Sequence, residues 1–502
     1  VRTRDGKLEG VSNPVWVERE PERRVYYGDL HQHAYIDDGR GAFLELYLYA
    51  RRVGLLDFGA LSPHHMDVSV TGPRLNLPKR YPRDHWPEIK SVNRMMNGWR
   101  GLVTIPGYEY SVATPAGGHH NIYFNADDPP STMQIDPDDP AAPIAKMLRT
   151  LRLVEVPTLV IPHIGGGPPD WSHATDSRIE RLFEVASVHG VFEESWQKHL
   201  ETGLRLGAIA AGDTHTTAMG NAYPGLIYVM SNGLAGVWAQ AKSRDSIWRS
   251  MHERRTFGVT NGQRILMDFR VNGEPMGGEI PSGQGQGANI EARISGTAPL
   301  LRVEVLKNAN VIHSIHPARK TGSRMRLVWG DNLYQRRAAI GLRSGEALPE
   351  KGEIRLERPV HLDQAFEQVR QAGTGISWTT AAVSNDRDGF VADISGASGD
   401  LRFRLDDADT MGVFEVRIPL SDLRRDGFFR WSQAGKAAHP YLEKMGVKPA
   451  FFVEADLLDA NGPRDIVVKH WDQSPIRPGD YFRLRIEQVD TNKAWSSPVW
   501  GN

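Results

Sequence analysis

The spacing of apolar and polar positions differs between the two halves of the chain. In the first half, short apolar runs alternate with amphipathic stretches; the runs lie at 23–33, 55–65, 102–111, 119–124, 157–164, 181–187 and 206–215. Near-continuous apolar runs are typical of parallel strands buried on both faces, and strand–helix alternation is typical of an α/β fold. The pattern predicts a parallel α/β core with helices at 42–54, 87–99, 140–152, 193–205 and 244–255.

Beyond about residue 260 the pattern changes to period two, with frequent Gly and Asn turns. Alternating apolar and polar positions predict antiparallel strands, and we expect a sandwich-like β domain. Residues 336–448 mix helical and isolated strand patterns, which we interpret as an insertion. The predicted organisation is therefore an α/β domain over 1–262, a β domain over 263–335 plus 449–502, and an insertion subdomain over 336–448.

Composition limits the function classes. The 502 residues include 60 Lys+Arg and 61 Asp+Glu, a net charge of −1, so nothing electrostatic favours nucleic acid or an anionic membrane as a partner. Because Cys is absent, disulfides, thiolate nucleophiles and Cys-ligated zinc are excluded. We expect a small-molecule substrate and leave the oligomeric state open. The first residue is Val1 and not Met, which fits either a mature form after signal removal or a trimmed chain. We expect a bacterial protein that is periplasmic or secreted, with the cytoplasm as the alternative.

Histidine is concentrated in the first half, where twelve of the 18 histidines lie between His31 and His215. The apolar runs there end in side chains that can bind metals: His31 and His33, Asp37 and Asp38, His64 and His65, Glu109, His119 and His120, His163, Glu184, and Asp213 and His215. A single histidine at a strand end is more often a surface or core residue than a ligand. The repetition at successive strand ends indicates a shared site.

The physical basis of such a site is simple. Side chains two residues apart on a strand share a face, so His31 and His33 can point at one centre. The carboxyl ends of parallel barrel strands gather at one mouth. Imidazole and carboxylate ligands suit Zn, Mn or Fe, and one carboxylate can bridge two ions.

The segments "GDLHQHAYIDDG", "LDFGALSPHH", "IPGYEY", "GHHNIYF", "VIPH" and "GDTH" resemble, in order, the motifs of the PHP (polymerase and histidinol phosphatase) superfamily. Their spacing and the "AWSSPVW" tail are similar to the large bacterial proteins grouped as DUF3604. The resemblance implies a distorted (β/α)7 barrel that binds two to three divalent ions of Zn, Mn or Fe. By motif it implies the metal ligands His31, His33, Asp38, His64, Glu109, His119, His163, Asp213 and His215, with Asp37 and His120 as alternatives to their neighbours.

One position departs from the resemblance. Pro63 stands in "SPH" where many members have the aspartate of "TDH". If that aspartate orients a ligand or a water molecule, its role is lost here or is taken by Asp67.

Further candidates have a functional interpretation, and for some of them a purely structural one is also open. Glu184 either orients an imidazole or is a buried carboxylate paired with an arginine. The glycines at 165–167 either hold an anionic oxygen or form a plain loop. His189, His65 and His120 are candidate catalytic acids. Substrate contact and simple packing are both open for Tyr108, Tyr110, Trp171 and Arg178.

Together these observations predict a metal-dependent hydrolase with a metal-bound hydroxide as nucleophile, and a phosphoesterase is the expectation that the resemblance implies. Hydrolysis of a non-phosphate ester, lactone, amide or sulfate in the same site is an alternative. A metal- or ligand-binding protein without catalysis is the other alternative. No G-x-S-x-G elbow, Walker A or dinucleotide motif is present.

Overall fold

The structure is a computed structural model of the chain. It describes residues 12–37, 39–65, 82–112, 117–130, 143–165, 167–170, 175–220, 232–283, 285, 287–319, 321–331, 341–362, 364, 366–382, 387–407, 412–434, 450–459 and 462–502. Within these residues no helix has the length and apolar character needed to cross a membrane.

The first half alternates strands with helices. Its elements are β1 (Arg24–Asp29), α1 (Phe43–Arg52), β2 (Phe58–Leu61), α2 (Pro82–Met96), β3 (Val103–Tyr110), β4 (His120–Phe124), α3 (Ile144–Leu151), β5 (Thr158–Pro162), β6 (Leu182–Glu184), β7 (Ala186–Ser187), β8 (Gly190–Val191), α4 (Glu193–Glu201), β9 (Gly207–Ile209), β10 (Gly233–Ala239), α5 (Arg244–His252) and β11 (Thr256–Thr260). Each helix expected from the sequence is present, with ends that differ by a few residues.

The helices form where apolar residues recur at helical spacing. In α3 the buried residues are Ile144, Met147, Leu148 and Leu151, at intervals of three, one and three. This spacing places all four on one face, which packs into the main hydrophobic core. The same spacing recurs in α1, which buries Phe43, Leu46, Tyr47 and Ala50.

The central sheet of the first half has the order β10-β1-β2-β3-β4-β5. Strands β1, β2 and β3 are parallel, whereas β4 is antiparallel to both β3 and β5. The α/β class is therefore confirmed, but the prediction of a parallel core is wrong at β4 and at β10, which is antiparallel to β1. The segment between Tyr110 and His120 is too short for the crossover that a parallel pair requires.

Short parallel contacts link β5, β6 and β9. Strand β6 pairs with β9, and an isolated bridge joins Val160 of β5 to Glu180 just before β6. A second bridge joins Gln32, after β1, to Thr214, after β9. These pairings bring the segments that follow β1 and β9 side by side.

The second half is mostly β. Its elements are β12 (Leu266–Val271), β13 (Glu274–Pro275), β14 (Glu279–Ile280), β15 (Ala288–Ser295), β16 (Leu300–Lys307), β17 (Asn310–Ile315), β18 (Arg324–Asp331), β19 (Gly341–Gly352), β20 (Arg355–Val360), β21 (Gln368–Ala372), β22 (Gly375–Ala382), β23 (Arg387–Asp393), β24 (Ala397–Asp407), β25 (Gly412–Pro419), α6 (Leu420–Asp426), β26 (Phe428–Ala434), β27 (Ala450–Leu457), β28 (Asp465–Asp472), β29 (Tyr481–Gln488), β30 (Lys493–Ser496) and β31 (Val499–Gly501).

Strand pairing divides this half differently from the domain borders expected above. Strands β18 and β27 flank the segment 336–448 and pair with its strands, so the sandwich of two five-stranded sheets extends from about 324 to 457. Its core is largely aliphatic and contains an aromatic cluster, in which Trp329 stacks on Trp378 at 4.2 Å. Strands β16, β29, β30 and β31 instead extend the sheet of the first half through β11.

Candidate metal centre

Backbone hydrogen bonds hold the strand ends of the first half together. The amide of His33 donates to the Thr214 carbonyl (3.0 Å), and the amide of Asp213 donates to the His31 carbonyl (2.7 Å). On the next strands, His64 forms a parallel bridge with Glu109. Side chains far apart in sequence are therefore fixed next to one another by the main chain.

Among the described residues, four overlapping groups of His, Asp and Glu have potential ligand atoms within 4.8 Å of one another. The groups share His31, His33, Glu109 and His163, so they form one continuous cluster. They are His33–His64–His215, His31–His163–Glu184–Asp213, His31–His33–Glu109 and Glu109–His119–His163. This arrangement can hold more than one divalent ion, with Glu109 between two of them.

Glu109 lies at the centre of the cluster and is fully buried. Its Oε2 is 3.5 Å from His31 Nε2, 3.4 Å from His33 Nε2 and 3.0 Å from His64 Nδ1. Its Oε1 is 2.5 Å from His119 Nδ1 and 3.1 Å from His163 Nε2. The two oxygens therefore face different sets of imidazoles, as a bridging carboxylate would.

Asp213 closes the cluster from the opposite side. Its Oδ1 is 3.0 Å from His33 Nε2 and 3.4 Å from His31 Nε2, and its Oδ2 is 3.1 Å from His189 Nε2. The Asp213 backbone has φ of 53°, a left-handed conformation that is uncommon outside glycine. Such strained positions persist where the surroundings hold them, and they concentrate at functional sites.

Neighbouring polar groups orient the imidazoles. Glu184 Oε2 and Asn121 Nδ2 each lie 3.0 Å from His31 Nδ1, so His31 Nε2 is the atom that faces Glu109 and Asp213. Asp37 Oδ2 lies 2.7 Å from His33 Nδ1 in the same way. Carboxylates that fix the far nitrogen of a histidine are a regular feature of metal sites. Glu184 thus contacts an imidazole and has no arginine partner among the described residues.

Several buried polar atoms of the cluster make no hydrogen bond, which fits metal ligands. Within the described residues, the atoms that are buried and make no hydrogen bond include His31 Nε2, Glu109 Oε2, His119 Nδ1, His163 Nδ1, Glu184 Oε1 and Asp213 Oδ2. Buried polar atoms in folded proteins nearly always have a partner. Six unsatisfied atoms converging in one cluster therefore match the donor set of divalent ions.

Charges within the cluster shift the pKa values of its carboxylates and imidazoles. Burial alone would raise the pKa of Glu109, but the imidazoles of His64, His119 and His163 hold it well below its usual range. Burial likewise opposes the charged form of His31, yet Asp213 and Glu184 raise the pKa of His31 to about 10. Asp213 and Glu184 thus favour the charged form of His31, whereas burial lowers the pKa of His119 to about 4 and favours its neutral, metal-binding form.

Two glycines of the 165–167 loop, Gly165 and Gly167, lie against the cluster. A Cβ on Gly165 would come within 2.3 Å of Asp213 Oδ2, and one on Gly167 within 2.5 Å of His119 Cδ2. Glycine is therefore required for this loop to approach the ligands. The Gly167 amide donates to the Gly165 carbonyl (2.7 Å). Gly166 lies outside the described residues.

The candidate catalytic histidines occupy different places. His189 is 15% exposed in its side chain and borders the cluster beside Asp213. His65 stacks on Tyr110 at 4.1 Å, and its Nδ1 accepts a hydrogen bond from the Ser111 amide (2.9 Å). His120 belongs to none of the four groups, and burial lowers its pKa to about 3. Of the neighbouring pair, His119 is the one beside Glu109.

The remaining candidates also have clear positions. Tyr108 is fully buried and packs edge-on against Trp86 at 5.9 Å, so it belongs to the core and not to a cleft. Arg178 is 69% exposed and pairs with Asp176 at 3.0 Å, outside the cluster. Three candidates, Asp38, Asp67 and Trp171, lie outside the described residues.

The site also contains residues that the sequence pattern does not predict. Asn121 contacts His31, and Ser111 Oγ lies 2.6 Å from His64 Nδ1. Ser111 follows Glu109 by two residues, so period-two alternation along β3 was the available signal. Pro63 contributes its carbonyl, which accepts the Glu109 amide hydrogen at 2.9 Å.

Comparison with known proteins gives a partial family match. A family described as "Protein of unknown function (DUF3604)" matches residues 208–274, which include Asp213 and His215. An uncharacterized protein of Chlamydia trachomatis serovar D is 30% identical over 339 residues, covering 61% of this chain and 51% of that protein. An uncharacterized protein of Chlamydia muridarum is 22% identical over 339 residues, with the same shares. The chain spans about half the length of these curated relatives.

One solved structure overlaps much of the chain at low similarity. It is a two-domain protein from Bacteroides vulgatus ATCC 8482, described as containing a predicted PHP-like metal-dependent phosphoesterase. The TM-score is 0.35 and the identity 13%, over 82% of this chain and 100% of that one.

Proposed function

We propose that this protein is a metal-dependent hydrolase whose active site is the cluster around Glu109, and that phosphoesters are its substrates. The observation that carries the proposal is the set of buried His, Glu and Asp atoms that converge within 4.8 Å of one another. Several of these atoms make no hydrogen bond in the described part of the chain. Generic cores do not leave so many buried polar atoms unsatisfied.

The chain offers ligands for two to three ions of Zn, Mn or Fe. His31, His33 and Glu109 form one group of potential ligands, and Glu109 also belongs to a second group with His119 and His163. His31, His163, Glu184 and Asp213 form a third group, and His33, His64 and His215 form a fourth. Bound divalent ions would lower the pKa of a coordinated water and neutralise negative charge on the substrate. This donor set lacks sulfur, which fits all three metals.

The protein's own residues have separable roles in this proposal. Glu184 and Asp37 hold the outer nitrogens of His31 and His33, which fixes their inner nitrogens toward the cluster. His189 borders the cluster and is partly exposed, so it is placed to give a proton to the leaving oxygen. The backbone at Gly165 and Gly167 lies against Asp213 and His119, where a side chain would collide with these ligands.

Phosphoester hydrolysis is favoured because a site for several cations suits an anionic substrate and an anionic transition state. No Lys or Arg contacts Glu109, Glu184 or Asp213 among the described residues, so bound ions would supply the positive charge. The same cluster is also compatible with carboxyl esters, lactones, amides or sulfate esters.

This proposal also includes a PHP-type barrel, a small-molecule partner and a periplasmic or secreted location. Support for the barrel comes from the pairings that run from β1 through β5 to β6 and β9 and return to β1 by the Gln32–Thr214 bridge. The order of the sequence motifs along these strands supports a PHP-type arrangement.

A substrate panel tests the proposal. Purified protein loaded separately with Mn and Zn is assayed against phosphomonoesters, phosphodiesters, carboxyl esters, lactones and sulfate esters, with and without a chelator. We expect phosphoester turnover that a chelator abolishes and that added metal restores. Turnover of carboxyl esters alone would overturn the phosphoester assignment. Metal binding without turnover of any substrate would favour the non-catalytic alternative.

A further inference from the structure

Asp29 is a buried carboxylate at the end of β1, two residues before His31. It belongs to none of the four groups of potential ligands found in the described part of the chain. Its side chain is inaccessible to solvent, and burying a carboxylate is costly unless donors satisfy it. The groups that satisfy Asp29 therefore show what this carboxylate does in the fold.

Four N–H groups converge on the Asp29 carboxylate. Its Oδ1 accepts hydrogen bonds from the backbone amides of His31 (3.2 Å) and Gly212 (2.7 Å). Its Oδ2 accepts hydrogen bonds from the backbone amide of Gly220 (3.0 Å) and from Gln32 Nε2 (2.6 Å). An ionised carboxylate has about four lone-pair sites, so the acceptor capacity of Asp29 is used within the fold.

Two of these donors lie at the two ends of the segment 212–220, which carries the potential metal ligands Asp213 and His215. The last residue of the segment, Gly220, has a φ of 76°, a left-handed conformation that favours glycine. A single carboxylate, that of Asp29, thus fixes both ends of the segment that presents two ligands.

The left-handed backbone of Asp213 (φ 53°) is held on both sides by hydrogen bonds to the β1 end. The preceding amide, of Gly212, donates to Asp29, and the Asp213 amide donates to the His31 carbonyl (2.7 Å). The following carbonyl, of Thr214, accepts the His33 amide hydrogen (3.0 Å). Sparsely populated backbone conformations persist where such contacts enforce them.

Gln32, which stands between the two histidines of the β1 end, extends this network. Because the Asp29 carboxylate can only accept, Gln32 presents Nε2 to Asp29 and Oε1 to the hydroxyl of Thr214. The Gln32 amide donates to Ser62 Oγ (3.0 Å), and its carbonyl accepts the Ser62 amide hydrogen (3.0 Å). Neighbouring side chains on an extended backbone point to opposite sides, so Gln32 contacts the frame while the flanking histidines face the cluster.

Given the metal-dependent function proposed above, we propose that Asp29 is a positioning residue of the metal centre, with Gln32 as its partner. Asp29 binds no ion itself. It holds the segment 212–220 in the conformation in which Asp213 and His215 face the cluster. A carboxylate is needed there because four donors point at it, whereas an asparagine would offer one oxygen and place its own N–H groups against two of them.

The near-isosteric variant Asp29→Asn tests this role in the full chain. Competition with a chromophoric chelator measures the affinity for Zn and for Mn. We expect about tenfold weaker metal binding in the variant, in the range found for residues that orient ligands from outside. Saturated with Co(II), the variant should also give a visible absorption spectrum different from that of the wild type, because the ligand geometry is altered.

A second variant and two controls separate positioning from general stability. Gln32→Met removes the side-chain hydrogen bonds to Asp29 and Thr214 without adding a donor, so it should act in the same direction, and it carries the test if Asp29→Asn does not fold.

The matched control is Asp176→Asn, which removes a buried carboxylate of the same half from its pairs with Arg152 and Arg178. It should lower the free energy of unfolding and leave metal affinity and the Co(II) spectrum unchanged. Glu201→Gln alters an exposed carboxylate of α4 and should leave all three measurements unchanged.

The possible failures are distinguishable. A wild type that binds no ion would overturn the metal centre and the positioning role together. A wild type that binds ions, with Asp29→Asn and Gln32→Met keeping its affinity and its Co(II) spectrum, would overturn the positioning role alone. Equal weakening of metal binding in Asp176→Asn and Asp29→Asn would also overturn it, because the loss would then follow from general destabilisation.

Discussion

Two regions of the molecule bury carboxylates, and they surround them with different partners. In the metal centre, Glu109 and Asp213 pair with imidazoles. In the sandwich of the second half, Asp456 accepts hydrogen bonds from Arg319 (2.9 Å) and from Arg430 (2.8 and 3.0 Å). Both regions are almost inaccessible to solvent.

The difference distinguishes a binding site from a structural ion-pair network. Arginine is permanently charged and presents several donors, so Asp456 has partners at both oxygens. Imidazole loses its proton readily and then becomes a metal ligand. Glu109 Oε2 and Asp213 Oδ2 make no hydrogen bond within the described residues, whereas the oxygens of Asp456 do. Buried carboxylates among histidines thus match a metal, and buried carboxylates among arginines match a packed interior.

The largest expected effect comes from Glu109→Gln. This change removes the carboxylate shared by two ligand groups. We expect kcat/KM for hydrolysis to fall by about a thousandfold, because ions held by the shared carboxylate would contribute several kcal/mol of transition-state stabilisation. The check is kcat/KM on the best phosphoester together with metal content. Unchanged metal content and activity would remove Glu109 from the centre.

The second largest effect is expected in the arginines around Asp456, where a substitution should change the free energy of unfolding. Asp456→Asn leaves Arg326 and Arg430 without their buried carboxylate, so the free energy of unfolding should fall by about 3–5 kcal/mol. Urea unfolding measures this, and metal content should not change. The matched control, Asp426→Asn, alters an exposed pair with Arg425 and should leave unfolding unchanged. Loss of metal in Asp456→Asn would erase the distinction between the two regions.

A pH-dependent effect is expected at Glu193, which joins α4 to β29. Burial opposes its charge, but Arg483 and Arg485 lower the pKa of Glu193 to about 2. Because the folded pKa lies below the ordinary 4.5, this carboxylate stabilises the fold above about pH 4.5, and the stabilisation is lost as the pH falls toward 2.

Glu193→Gln should therefore lower the free energy of unfolding at pH 7 by on the order of 3 kcal/mol. The difference from wild type should shrink as the pH falls from 4.5 toward 2. Urea unfolding at several pH values provides the measurement. A difference that is constant over this interval would contradict the assignment of the shift to Glu193.

The smallest effect is expected at Glu184, which orients His31 through a 3.0 Å contact. Glu184→Gln should weaken metal binding by about 10–100-fold without abolishing it, as is usual for residues that hold a ligand from behind. Competition with a chromophoric chelator measures the affinity, and Glu201→Gln is the control. Complete loss of metal would indicate that Glu184 is itself a ligand.

Much of the centre was predictable because its residues follow short apolar runs. The spacing of His31 and His33 predicts a shared face, and the structure brings both beside Glu109. The choice within the His119/His120 pair was not predictable, because the face of β4 depends on how β4 pairs with β3 and β5. The role of Asn121 was missed because amides at strand ends are common and carry no pattern.

The fold was predictable at the level of class and less so in its connections. Period-two alternation correctly indicated a β-rich second half. It did not reveal that β29 and β30 return to the sheet of the first half, because alternation reports the face of a strand and not its neighbour. The same limit explains why the borders at 335 and 448 differ from the pairing of β18 and β27.

The most direct test of the metal centre is elemental analysis of protein purified without chelator or His-tag, beside a His33→Ala variant. The cluster predicts about two to three equivalents of Zn, Mn or Fe in the wild type and fewer in the variant. Less than about half an equivalent, unchanged by the substitution and not restored by added metal, would contradict a metal centre at these strand ends.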